Sequence, residues 1–598
     1  MCSYNKVNGS WACGGTPRLF EDHLRVKMGF KGFVLTDWWA HLEPSSGPNG
    51  LDMEQPGTKA VFTSSHLRAL PNGRATIKRM AQHVLEGMLS SGAWDDRRYD
   101  CVPGTNCSFL LYQQQASSSQ HRTIAREVAG SGAVLLKNVE GTLPIRRGAR
   151  VALLGSACSA HFLPASSSSW DAGDYYMIGG SGGVKAMPRH QWTIERGLQD
   201  AKERGEISAL TISRENSVDA ALRAMRNHDV AVACGGSWSR EGTDRRSLAL
   251  DQHGFLSSLG QQRAAHASTQ PRAYPPLVIV ALAPGAITVD WAAHAQAALL
   301  VLLSGQITGA ATADVLLGRR SPSGRLPLSL PLHERDVISP SSSSSVDYVE
   351  GLRVGWAGLI GTRVAYAFGH GLTYTTFEYS WVGVQPTIAR PAAALRVVSE
   401  AAWRAVSGSA RGSSNREGQE CWNSCGKRAG ACHSYCGAHG ACCRQWHDVD
   451  AQASSVATGH ACGSGSLGCT GHHCCVRAGD APPPPPSLPP ASTLPPALTL
   501  VVNVTNVGTV AAQEVAQLYL AFPAAYDEPP LLLRSFDKTA LLPPGGWAIV
   551  EFELSDHDLA VWDVTADDWR RASGRFSASV RRSSRDQEGS LSHEFVVE

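Results

Sequence analysis

The hydrophobic pattern of this chain changes character three times along its length. Up to about residue 100, apolar and helical stretches alternate. Gly32 to Thr36 is an apolar run of strand length, and Ala75 to Met88 places Ile77, Met80, Val84, Leu85 and Met88 on one side of a helix. From about 149 to 375 the apolar runs Val151–Leu154, Val230–Ala233, Leu277–Ala281 and Ala298–Leu302 are short, continuous and bounded by Gly, Pro or Ser. Such runs predict strands buried on both faces of a sheet. Ser217 to Met225 lies between two of them with helical spacing, so an open sheet covered by helices on both sides is expected. The last hundred residues change again. Leu498–Val504 and Glu514–Leu520 have strand lengths, and Asn506-Val507-Gly508 and Pro543-Pro544-Gly545-Gly546 supply turns, which predicts a small β-sandwich. Phe377–Val382 reads as a strand of that same sandwich.

The expected architecture is therefore multidomain α/β. Residues 1–103 read as strand, helix, strand, helix and resemble the C-terminal part of a (β/α)8 barrel, where carboxylates at the C-terminal ends of strands form the active face. Residues 104–148 read as a linker and 149–375 as an α/β sandwich with an open sheet. The β-sandwich takes 376–384 and 498–598. Inserted after its first strand come a loop at 385–420, a Cys-rich disulfide module at 421–476 and a Pro-rich linker at 477–497, stiffened by Pro482–Pro486. The serine runs Ser166–Ser169 and Ser341–Ser345 read as surface loops.

Composition narrows the classes. At 598 residues, two to four domains are expected. A formal net charge of +2 gives no reason to expect nucleic acid or an acidic membrane surface as partner. No apolar run reaches the roughly 18 residues of a membrane span. Ten of the sixteen cysteines fall between Cys421 and Cys475, which implies a disulfide framework and an oxidising compartment. The sequons at Asn8, Asn106 and Asn503 agree with that. Met1-Cys2-Ser3-Tyr4-Asn5 has neither the basic nor the apolar region of a signal peptide. The expectation is a secreted, extracellular or vacuolar protein whose chain, as read, lacks its own N-terminus.

Two short acidic motifs carry the chemistry. Gly32-Phe33-Val34-Leu35-Thr36-Asp37-Trp38 is an apolar run ending in a carboxylate and an aromatic. Ser239-Arg240-Glu241-Gly242-Thr243-Asp244-Arg245 is a polar loop after the apolar run Asp229–Cys234. Taken alone, Asp37 also suits a turn or an N-cap, and Glu241 a solvated loop charge. Taken together, two carboxylates at strand ends are what glycoside hydrolysis needs. One attacks the anomeric carbon and the other protonates the leaving oxygen.

The neighbouring segments resemble, in order, the β-glucosidases and β-xylosidases of glycoside hydrolase family 3. They begin with Met1–Gly9, Gly29–Trp38 and Asn49–Glu54, and continue with Leu135–Asn138, Leu143–Ile145 and Gly179–Gly182. Glu241–Arg245, Pro322–Pro327 and Phe368–Tyr374 follow, then Glu514–Leu520 and Leu533–Lys538 in a fibronectin type III-like sandwich. The resemblance implies that Asp37 is the nucleophile and Glu241 the general acid/base of a retaining mechanism. Tyr4, Trp38 and Met1 would line the sugar site, and Cys2 and Cys13 would form a disulfide. Trp39 reads equally well as a packed core residue. No metal or cofactor is implied. The expected activity is removal of terminal non-reducing β-D-glucose from β-glucosides or oligosaccharides. A β-xylosidase or α-L-arabinofuranosidase on the same fold is the nearest alternative, and a non-catalytic carbohydrate-binding or scaffold protein a more distant one.

The resemblance also implies that several barrel units precede Met1 in the family, which leads to the expectation of weak stability and poor activity for the chain as written. In the Cys-rich module an even count favours five disulfides over zinc ligation by His433, His439, His447, His472 and His473. Trp422, Tyr435 and Trp446 suggest polysaccharide binding by this module, with a disulfide-stapled spacer as the plainer reading.

Overall fold

A computed structural model describes residues 1–57, 61–94, 117–163, 169–338, 345–383, 498–587 and 589–597, together with the backbone alone of 384–385, 468–470 and 473–475. These fall into two compact bodies, 1–94 in one and 117–385 with 498–597 in the other.

In the first body, β1 (Lys6–Val7) and β2 (Ser10–Trp11) form a hairpin. Asn8 and Gly9 turn it with φ of 48° and 78°, as a two-residue hairpin loop requires. A wide helix follows over Arg18–Lys27, then α1 (Ser64–Ala69) and α2 (Gly73–Ser90). Helix α2 contains the predicted stretch 75–88, but of the apolar side only Met80 is fully buried, and Leu85 is exposed. The small core gathers Cys2, Cys13, Phe20, Val34, Ala40 and Leu51 around a Cys2–Cys13 disulfide. Gly32–Thr36, expected as a buried strand, forms no ladder. It makes isolated parallel bridges, Thr36 with Cys2 and Leu35 with Met53, because each neighbouring segment meets it over a single residue. Among the described residues of this body no parallel sheet is assembled.

The second body is built on a six-stranded sheet. Its strands are β3 (Val134–Asn138), β4 (Arg150–Leu154), β5 (Ala209–Ser213), β6 (Val230–Gly236), β7 (Leu277–Ala283) and β8 (Ala297–Leu302), in the order β3-β8-β7-β6-β4-β5. All pairs are parallel except β3 with β8. Strands β6 and β7 are buried at every residue, as their continuous apolar runs require. Successive side chains alternate between two cores. Val151, Leu153, Val232, Val278 and Val280 face α4 (Ile194–Glu203) and α7 (Thr308–Leu316). Ala152, Leu154, Ala231, Ile279 and Leu300 face α5 (Val218–Met225) and α6 (His253–Thr269). The open sheet with helices on both faces is thus as predicted. Three elements were not foreseen as part of it. Helix α3 (Ser119–Gly132) and β3 occupy the second half of the segment read as a linker, and β3 closes the sheet as an antiparallel edge. Strand β5 is an edge strand whose partly buried residues give no continuous apolar run.

A short ladder of β9 (Leu330–Pro331) with β10 (Val364–Tyr366) leads to the sandwich. There β11 (Phe377–Gln385) pairs across the intervening insert with a strand beginning at Leu498. Within that insert only the backbone of a ladder, β12 (Gly468–Thr470) with β13 (His473–Cys475), is described. The rest of the Cys-rich module, its aromatic and histidine side chains and the Pro-rich linker lie outside the described residues. The three-stranded sheet is β11, β14 (Leu498–Asn506) and β17 (Trp547–Leu554). The four-stranded sheet is β16 (Leu532–Lys538), β15 (Val515–Ala521), β20 (Gly574–Arg581) and β21 (Leu591–Val597), and β18 (Ala560–Asp563) with β19 (Asp568–Arg571) forms a side hairpin. Leu500, Val502 and Val504 of β14 meet Leu518, Leu520 and Phe576 between the sheets, the alternation a half-buried strand predicts.

The sandwich is joined to the α/β layers by buried polar contacts. Arg325 Nη2 lies 2.7 Å from Glu514 Oε2, and Tyr379 donates its hydroxyl to Glu514 Oε1 at 2.7 Å. Lys538 extends from β16 to the Ser131 carbonyl at the end of α3. Burial pushes its ammonium down to about 8, and the nearby Arg325 and Arg320 add repulsion. The folded state therefore favours the neutral amine. Between about pH 8 and the ordinary lysine value of 10.5 the unfolded chain holds a proton that the folded chain has released, so stability rises with pH across that window. We predict that Lys538→Met raises the melting temperature at pH 7, and that the gain fades as pH approaches 10.5. Calorimetry at three pH values checks this.

Candidate active site

In the first body, Asp37 sits where an extended segment breaks into a turn. Thr36 is fully buried; its N–H donates to the Met53 carbonyl at 3.1 Å, and its hydroxyl accepts from the Gln55 N–H at 2.8 Å. The Asp37 N–H donates to the Cys2 carbonyl at 3.0 Å, and Ala40 N–H donates back to the Asp37 carbonyl at 3.1 Å. Its carboxylate accepts from Trp38 N–H at 2.7 Å. Trp39 takes up the turn at φ 61°. The bridge between Cys2 and Thr36 brings the N-terminal segment that carries Met1 and Tyr4 alongside residue 36. Tyr4, Trp38 and Met1 are 50%, 44% and 70% exposed, and Asp37 is half-buried. Trp39, at 57%, is not the packed core residue that one reading allowed.

Behind this segment stands Asp52, whose role was not foreseen. Its carboxylate is fully buried. It accepts from Val34 N–H at 2.8 Å and pairs with Arg25 at 2.6 Å and His83 at 2.7 Å. The Asp52 and Met53 N–H groups return to the Val34 carbonyl at 3.0 and 3.1 Å. Asp52 therefore holds residues 34–36 in place. The sequence signal was an acidic residue between Leu51 and Met53, where a buried carboxylate needs a cationic partner.

Glu241 belongs to the second body, on the loop that leaves β6. A second loop, 169–183, clamps it. Gly179 N–H donates to the Ser239 carbonyl at 3.0 Å, and Glu241 N–H donates to the Gly179 carbonyl at 3.0 Å. Ser181 N–H then donates to Glu241 Oε2 at 2.7 Å. Gly180 makes this approach feasible: it has φ 106°, and a Cβ there would lie 2.6 Å from the Glu241 carboxylate. Arg240 pairs with Asp171 of the same clamp at 2.8 Å. The Ser169 hydroxyl, and then Arg240, hold the Asp171 carboxyl below the usual range. Glu241 remains solvent-exposed, so one oxygen is fixed by the Ser181 amide while the side chain still faces water.

A second disulfide ties the base of this region. Cys158, just after β4, is bonded to Cys234 in β6, and both are fully buried. Nothing in the linear pattern paired them; only the adjacency of β4 and β6 does. The Cys2–Cys13 bond is as the resemblance implied. Among the described residues no group of His, Cys, Asp and Glu is arranged to hold a metal ion, and no helix is long and apolar enough to cross a membrane.

Comparison with known proteins gives these geometries a context. Residues 133–374 match the glycosyl hydrolase family 3 C-terminal domain, and residues 514–584 match a fibronectin type III-like domain. The chain carries the C-terminal domain of glycoside hydrolase family 3, followed by a fibronectin type III-like domain. Family 3 relatives align along nearly all of it. Probable beta-glucosidase L of Emericella nidulans and Beta-glucosidase cel3A of Pyricularia oryzae are each 27% identical over 98% of this chain and 69% of their own lengths. The Beta-D-glucoside glucohydrolase of Trichoderma reesei shares the fold at a TM-score of 0.71 and 23% identity, covering 100% of this chain and 72% of that one. With these domains and relatives the chain is a glycoside hydrolase, with an α/β domain followed by a fibronectin type III-like β-sandwich.

The Asp52 network yields a prediction. Asp52→Ala strands the nearly buried Arg25 guanidinium without its carboxylate, which costs about 3–5 kcal/mol. Limited proteolysis in graded denaturant should show residues 1–94 opening at markedly lower denaturant, with the second body unchanged.

Proposed function

We propose that the chain is a retaining, exo-acting β-glucosidase that releases terminal non-reducing β-D-glucosyl residues through a covalent glycosyl-enzyme. The match of residues 133–374 to the family 3 C-terminal domain and the names of the β-glucosidase relatives support the substrate class. The observation that carries the catalytic reading is that Asp37 and Glu241 are each displayed from a backbone clamp rather than from a free loop. A residue that must meet a reacting atom needs that kind of support.

Asp37 attacks the anomeric carbon as a carboxylate, and the C–O bond to the aglycone breaks as the ester forms. Glu241 begins protonated and gives its proton to the departing oxygen. It then takes a proton from the incoming water, which releases glucose and restores both groups. The Ser181 N–H holds one Glu241 oxygen and so sets the direction of its carboxyl. Trp38 and Tyr4 offer aromatic surface to the sugar's C–H face, and Met1 completes that wall. Residues 1–103 are read as the nucleophile-bearing part of a (β/α)8 barrel, and 421–476 as an inserted disulfide module that could hold polysaccharide. The two buried disulfides suit an oxidising, extracellular or vacuolar setting.

Kinetics with 4-nitrophenyl β-D-glucoside and the matching β-D-xyloside test this. The glucoside should be hydrolysed preferentially, with Asp37→Asn lowering kcat/KM by at least about 10³-fold. Glu241→Gln should lower it by about 10²–10⁴-fold. Preference for the xyloside would transfer the reading to a β-xylosidase. Hydrolysis indifferent to both substitutions would remove it.

A further inference from the structure

Within the clamp on Glu241, two adjacent tyrosines pack against the same face of the sheet but make different contacts. Tyr176 goes into the sheet's core, where it stacks on Phe162 at 3.8 Å and donates its hydroxyl to the Ala160 carbonyl at 2.7 Å. Tyr175 turns instead onto the end of β6. Its ring covers Gly236 so closely that a Cβ there would lie 2.5 Å from the ring carbons. Its hydroxyl donates to Asp251 Oδ2 at 2.8 Å and accepts from Gln252 Nε2 at 3.0 Å. The same two residues hold Gly236 directly. Gly236 N–H donates to Gln252 Oε1 at 2.8 Å, and Asp251 N–H donates to the Gly236 carbonyl at 2.8 Å. The last residue of β6 is thus fixed through its N–H by Gln252, its carbonyl by Asp251 and one face by Tyr175, whose hydroxyl bonds both of the other two.

We propose that Tyr175 is a positioning residue for Glu241, acting through the loop 169–183. This rests on the reading of Glu241 as acid/base. The loop and the β6 exit are joined at two places. At the tip, Gly179 and Ser181 hold Ser239 and Glu241 through backbone amides, and Asp171 pairs with Arg240 between them. At the base, Tyr175 holds Gly236 through a side chain. Two segments pinned only at the tip can pivot together, and the direction of the Glu241 carboxylate pivots with them. The base joint removes that freedom. Burial pushes the Tyr175 phenol up to about 12, so it keeps the proton it donates to Asp251 across the range in which an acid/base carboxyl operates. A phenylalanine would keep the ring on Gly236 but leave Asp251 and Gln252 without their shared partner.

The test compares wild type with Tyr175→Phe and Glu241→Gln in the full chain, by hydrogen exchange and by leaving-group kinetics. Loss of a hydrogen bond to a charged group should speed exchange over 178–183 and 236–245 by about tenfold in Tyr175→Phe, with α4 unchanged. The same variant should lose about tenfold in kcat/KM on phenyl β-D-glucoside, whose poor leaving group needs protonation, and little on 2,4-dinitrophenyl β-D-glucoside, which does not. Unchanged exchange in both segments overturns the proposal. So does an equal loss on both glucosides, since that marks a general effect on the fold. If Glu241→Gln itself loses both glucosides equally, the acid/base reading fails and the proposal falls with it.

Discussion

Strand β6 ends in two glycines whose missing side chains are space already taken. A Cβ on Gly235 would meet Leu250 and Leu256, and one on Gly236 would meet the Tyr175 ring. This close packing at the end of a fully buried strand fixes the direction in which the chain leaves the sheet. Everything after it inherits that direction: Ser239 and Glu241 meet the 169–183 loop only because β6 delivers them there. The Cys158–Cys234 bond ties the same strand to the segment after β4. The core of the α/β domain and the Glu241 loop are therefore one mechanical unit.

The same economy governs the join between the α/β layers and the sandwich. Glu514 is almost fully buried, and its two oxygens serve Arg325 and Tyr379. The segment 368–374 runs through this junction. His370 reaches the Leu136 carbonyl of β3 at 2.9 Å, and the Gly369 carbonyl accepts from Gln517 of β15 at 3.2 Å. Breaking a buried pair of this kind typically costs about 3–5 kcal/mol, while its intact form adds little over an apolar contact. Its value lies in fixing how the two layers meet, which a greasy interface would leave free to slide.

Much of this was legible in the sequence, and the reason differs by element. Strands β4, β6, β7 and β8 announce themselves because a strand buried on both faces must be apolar throughout. The edges do not. Strand β5 carries Thr211 on an exposed position and Ser213 on a partly buried one, and β3 looks like the tail of a linker until its partner β8 is known. Gly32–Thr36 shows the converse error: it is a largely apolar run of strand length, buried at Val34 and Thr36, yet single-residue neighbours give bridges rather than a strand. Asp37 and Glu241 stood out as carboxylates after apolar runs. Their supports did not, because Asp52, Ser181 and Tyr175 act through backbone groups and buried partners that come together only in three dimensions. No linear spacing encodes a contact made across 60 residues.

The central claim is that Asp37 is the residue that bonds to sugar. The most direct measurement is to incubate the protein with 2,4-dinitrophenyl 2-deoxy-2-fluoro-β-D-glucoside, which slows release of the glycosyl-enzyme, and then to map the modified peptide by mass spectrometry. The account predicts a fluoroglucosyl ester on the peptide that contains Asp37, absent when that residue is asparagine. A label on any other carboxylate, or none after prolonged incubation, would contradict it.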